Sequence, residues 1–170
     1  MTRRPVVISL ALVVVAVVVQ TTLFGAGRLQ PFGAAPMLVL VVVVACVRYL
    51  EPEPAVLLGF TAGLLLDLLG GSPLGLWAMV YLIVSYVAYR FRDRADEGAL
   101  VVGVGIFAIA FFAQVLFVMA GTLFGQRLLA NTDLVKHLLL PSLYSLVAAA
   151  AVIPVVTWLL RERNVGSWRR

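Results

Sequence analysis

The sequence predicts an all-α polytopic membrane protein, a single domain over residues 1–170 that crosses the bilayer about six times. Three observations lead there. Of the 170 residues, 63% are hydrophobic and only 12% charged, with a mean hydropathy of +1.08. Soluble domains carry about 45–50% apolar and about 25% charged residues, so this chain in water would expose apolar surface that nothing covers. The apolar residues fall into long runs, and a helical span needs about 20 of them. The charges collect between the runs, at what would be span ends.

The first expected span is 6–24, valine-rich and closed by Gln20, Thr21 and Thr22. Valine disfavours helix mildly in water, but an unsatisfied backbone costs far more in lipid, so the helix forms. Arg3 and Arg4 before this run imitate a signal peptide. Phe24-Gly25-Ala26-Gly27 is a poor cleavage site, however, and a retained anchor is expected. A loop rich in glycine and proline, ending at Pro36, leads to the second span, 37–50. Glu51-Pro52-Glu53-Pro54 reads as a double helix break. The third span, 55–69, follows at once, which predicts a tight antiparallel hairpin of spans two and three. Both fall short of the usual length: they extend into their flanks, thin the bilayer, or cross incompletely.

Gly70, Gly71, Ser72 and Pro73 form a turn of strong breakers. The fourth span is 74–91, a charged loop covers 92–97, and the fifth span is 99–124. A polar loop over 125–137 precedes the sixth span, 138–160, with Pro141 placed in its first turn and Pro154 bending it further on. Ten of the thirteen basic residues fall on one side under this threading, leaving Arg28, Arg127 and Lys136 on the other. The richer side is cytoplasmic, which puts both termini inside. Tyr49, Tyr86, Tyr89 and Trp158 sit at the inner ends as interfacial anchors. The net charge of +5 is therefore assigned to orientation and lipid headgroups, with no nucleic-acid partner.

Few residues are candidates for chemistry. Asp67 is the one acid well inside an apolar run. A carboxylate at membrane depth costs about 2.5–3.5 kcal/mol, which makes it a functional candidate by default. Its place before a glycine turn favours a structural tie, with its oxygens accepting from the amides of Gly70, Gly71 or the start of the fourth helix. A ligand or partner contact is the competing reading, and a proton relay lacks a second intramembrane acid or histidine. Gly59 and Gly63 have small-xxx-small spacing, with Thr61 between them and Asp67 four residues further along the same face. Such a face favours close helix packing over a cavity. Gln114 in the fifth span reads as an interhelical hydrogen-bond partner, and Cys46 as a small packing residue. His137, the sole histidine, lies in the polar loop with no metal site around it. Ser72 is not in a nucleophile elbow. No catalytic residue, cofactor or metal is expected.

Residues 59–76 read GFTAGLLLDLLGGSPLGL, so that Gly59, Gly63, Asp67, Gly70, Gly71, Pro73 and Gly75 stand in one motif. This stretch resembles the central motif of the MreD family of bacterial rod-shape-determining membrane proteins. Gln20-Thr21-Thr22, Pro36, the length, the span count and the basic tail resemble the same family over essentially the whole chain. Met37 stands where that family often has an acid. The resemblance implies a non-catalytic scaffold of the elongation complex in the bacterial cytoplasmic membrane. It implies partnership with MreC most directly, then with MreB, RodA and a class B penicillin-binding transpeptidase. It also implies similarity to the S-component fold of energy-coupling-factor transporters, which supplies an alternative function: the substrate-binding membrane component of a vitamin transporter. Those components dock through an alanine-xxx-alanine face on the first helix. Here Ala11 and Ala16 are five apart and do not share a face, so the scaffold is the expected role.

Overall fold

The structure, a computed structural model, describes residues 3–23, 35–70, 73–123, 125 and 134–161. Among these residues there are six α-helices and no strand: α1 (Arg3–Leu23), α2 (Leu38–Val47), α3 (Pro52–Gly70), α4 (Leu76–Arg90), α5 (Ala99–Leu123) and α6 (Leu134–Arg161), with a 3-10 turn, Arg92–Glu97, between α4 and α5. Four helices, α1, α3, α5 and α6, are long and apolar enough to cross a membrane. Their outward faces carry exposed apolar side chains such as Val7, Val104, Leu123 and Val147, a surface suited to lipid.

The other two helices are short. At about 1.5 Å per residue, the 10 residues of α2 rise about 15 Å and the 15 of α4 about 22 Å. The bilayer's apolar core is about 30 Å thick. α2 is apolar on every side, and eight of its residues are buried. A helix with no polar face belongs in lipid or at the centre of a bundle, and α2 takes the centre. It packs chiefly on α6 and α1, while α3 lies mainly along α4. The expected tight hairpin of the second and third spans is therefore not formed; the close antiparallel pair is α3 with α4. The main core joins Val13 and Val17 of α1, most of α2, Leu58 and Ala62 of α3, and Tyr81 and Val84 of α4. Trp77 of α4 stacks on Phe117 of α5, with ring centroids 4.1 Å apart, and meets Tyr81 edge-on.

Two proline readings are corrected. Pro52 and Pro54 do not break a helix; they begin α3, whose first turn closes with Ala55 N–H donating to the Glu51 carbonyl at 3.0 Å. A first turn has no use for the amide that proline lacks, and Glu53 there faces the positive helix end. Pro141, placed in a first turn by the sequence, lies inside α6 because that helix begins earlier, at Leu134. The part of the polar loop over 134–137 is thus helical.

Candidate functional site

The residues of the 59–76 motif meet along the seam between α3 and α4. Asp67 is 2% exposed. Its Oδ2 accepts from the amides of Gly75 at 2.9 Å and Ala78 at 3.2 Å, and its Oδ1 accepts from Trp77 N–H at 3.1 Å. Gly75 is the residue that precedes α4, so these are amides of that helix's start. The amide between them, of Leu76, donates to the Pro73 carbonyl at 3.2 Å, and Met79 N–H reaches the Gly75 carbonyl at 3.0 Å. Every amide that a helix start leaves without an internal partner is accounted for. Gly75 itself has φ +95, a left-handed conformation that glycine adopts without strain, and it has no side chain with which to cap. A carboxylate eight residues upstream supplies the cap instead, at the positive end of the helix dipole.

The sequence reading named the start of the fourth helix or the amides of Gly70 and Gly71 as partners of Asp67. The carboxylate bonds to the former; Gly70 is the exposed last residue of α3, and Gly71 lies outside the described residues. Gly59 and Gly63 turn the same way. A Cβ on Gly59 would come within 2.6 Å of the Tyr81 carbonyl oxygen and would overlap Ser85. A Cβ on Gly63 would come within 2.6 Å of the Ala78 Cα. Real Cβ atoms essentially never approach below 3.0 Å, so both positions exclude any side chain. Residues 59, 63 and 67 thus form one stripe that descends α4 from Ser85 to Gly75. Thr61 is not part of it: its hydroxyl donates back to the carbonyls of Leu57 and Leu58 on its own helix.

A second polar side chain does for α2 what Asp67 does for α4. Gln20, near the end of α1, accepts from Val39 N–H through Oε1 at 2.9 Å. Met37 N–H, one residue before α2, donates to the Ser145 hydroxyl of α6 at 3.0 Å, and that hydroxyl donates on to the Pro141 carbonyl at 2.7 Å. Ser145 was missed by sequence reasoning. A serine in an apolar helix resembles small packing residues, and only the fold places it against the start of α2. Thr21 and Thr22 bond to carbonyls one turn back in α1. The side chain of Gln114 is half-buried in α5 and makes no hydrogen bond among the described residues. Cys46 is buried in the core. No three potential metal-ligating side chains come together among the described residues.

A family model described as rod shape-determining protein MreD matches residues 2–163, a stretch that contains the motif and all six helices. The chain belongs to the MreD family. No curated protein and no solved structure matches it. The seam of Gly59, Gly63 and Asp67 is therefore the physical content, in this MreD chain, of the stretch that first suggested the family. The implied similarity to S-components rests on that resemblance alone.

Proposed function

We propose that this MreD protein is a non-catalytic scaffold in the cytoplasmic membrane. In this reading it holds MreC directly and, through it, the RodA glycosyltransferase, its class B transpeptidase and MreB, and so regulates lateral peptidoglycan synthesis. Family membership supports a rod-shape-determining role. The observation that carries the non-catalytic reading is the use made of Asp67. Both oxygens of this buried acid are occupied by backbone amides, which is how a structural cap is built and not how a general acid or base is presented. The placement of Ala11 and Ala16 favours the scaffold over vitamin uptake: Ala11 is exposed on α1 while Ala16 is buried, so they do not form one docking face. The ten-to-three distribution of basic residues supports cytoplasmic termini.

The test is purification from native membranes with mass spectrometry of the eluate, beside complementation of a strain depleted of its own copy. Recovery of MreC and restoration of rods are the expected results. An energy-coupling ATPase pair in the eluate, or stoichiometric bound vitamin, would replace the scaffold with the transporter.

A further inference from the structure

At the arginine-rich end of the bundle a half-open crevice of about 450 Å³ runs between α2, α4, α5 and α6. Its volume lies within the range of about 300–1,000 Å³ usual for small-molecule sites. The walls are apolar: Val44, Val87, Ile106, Ile109 and Phe112 are among the lining residues. The mouth is cationic, with Arg48 in the turn after α2 and Arg92 and Arg94 in the 3-10 turn. Arg92 lies over the Tyr89 ring and pairs at 3.4 Å with Asp93, whose side chain is 90% exposed. Arg94 lies over the Phe91 ring. Arg92 also donates to the Leu50 carbonyl at 3.4 Å, and the lining arginines stand beside aromatic rings.

We infer that this crevice binds one anionic phospholipid, an acyl chain lying along α5 and the phosphate held by Arg48, Arg92 and Arg94. The depth fits. Lining residues on α5 run from Val101 to Phe112, about 16 Å at 1.5 Å per residue, which is about half of a 30 Å apolar core and so the depth of one leaflet. The chemistry fits as well: an apolar wall solvates the chain, and guanidinium groups grip phosphate with paired N–H donors. Basic pockets between membrane helices are suited to anionic headgroups. A partner helix is the competing occupant, and the three arginines at the mouth of an apolar wall favour a lipid headgroup and chain over it. The inference does not depend on the scaffold reading.

The full chain is delipidated in detergent, offered phosphatidylglycerol or phosphatidylcholine, and examined by native mass spectrometry and thermal melting. One phosphatidylglycerol per chain should survive, retained at least tenfold better than phosphatidylcholine, with a raised melting temperature. Replacing Arg48, Arg92 and Arg94 together by glutamine should erase the preference. Because that triple variant risks the fold, Gly105→Phe provides a second reading. Gly105 lines the crevice, and a Cβ there meets nothing within 4 Å, so the ring fills the space without displacing backbone. It should abolish retention of either lipid while leaving the lipid-free melting curve unchanged. Equal retention of the two lipids by the unmodified chain, or undiminished retention by Gly105→Phe, overturns the inference. So does a protein adduct when a photoreactive benzoylphenylalanine replaces Ala108 in native membranes; a lipid adduct there supports it.

Discussion

Replacing Asp67 with leucine takes the acceptors from three amides at once, those of Gly75, Trp77 and Ala78. The Ala78 bond is buried and the other two are part-buried. An unpaired buried donor costs about 1–3 kcal/mol. Assigning the upper part of that range to Ala78 and the lower to its neighbours gives about 4–5 kcal/mol. Against a typical total of about 5–15 kcal/mol, that is about a quarter of the stability at one end of the range and all of it at the other. Asparagine should be far milder. With its carbonyl oxygen in the place of Oδ2 it keeps Gly75 and Ala78, loses only Trp77, and turns its amino group toward that N–H, a loss of about 1–2 kcal/mol. Unfolding in mixed detergent, followed by tryptophan fluorescence, reads both, since Trp77 lies at the cap. The expected order is Leu well below Asn, and Asn slightly below the unmodified chain. Equal curves for all three would refute the capping argument. Normal melting of Asp67→Asn with loss of rod shape would instead show that the carboxylate serves a partner.

The glycine seam predicts a contrast between neighbours on one helix. Gly63→Ala should lower the melting temperature and Gly63→Leu should prevent accumulation of folded protein, because the added atoms meet α4 backbone, whereas Gly70→Ala should be neutral because its Cβ meets nothing within 4 Å; equal effects in a melting assay would show that the seam opens freely. Gln20→Leu and Ser145→Ala each remove an acceptor at the start of α2 and should each cost about 1–2 kcal/mol in the same unfolding assay, and an unchanged midpoint in either would remove that cap from the account. In a Cys46→Ala background, Asp93→Cys should resist an impermeant thiol reagent applied to intact cells and react after lysis; labelling from outside would invert the proposed orientation.

Long apolar runs were the legible part of the fold. The apolar run 99–124 corresponds to the helix Ala99–Leu123, and the run 6–24 to the helix Arg3–Leu23. Errors fell where one residue type has two meanings. Pro52 and Pro54 mark either a break or a start, and the choice depends on whether a helix follows at once, as α3 does. Lys136 and His137 looked like loop, yet the helix runs through them, since a few charges at a span end do not unwind it. The pairing of helices was not legible, because α2 is uniformly apolar and offers no face from which to choose a neighbour. Within the candidate site, the stripe of Gly59, Gly63 and Asp67 was visible as a spacing. Its target on α4 was not.

Short helices and polar intramembrane side chains turn out to be one problem in this chain. α2 and α4 are the helices shorter than a bilayer's apolar core, so their first amides start within it, and an unpaired amide in lipid is expensive. Each is capped by polar groups from longer helices: Asp67 of α3 for α4, Gln20 of α1 and Ser145 of α6 for α2. The two caps differ in kind. The one on α4 is charged, local in sequence and reinforced by a glycine seam that holds α3 and α4 together. The one on α2 is neutral and joins residues up to 108 positions apart, so it forms only once α1, α2 and α6 have assembled. Damage to Asp67 should therefore act on a local hairpin, whereas damage to Ser145 should act on the closure of the whole bundle around α2.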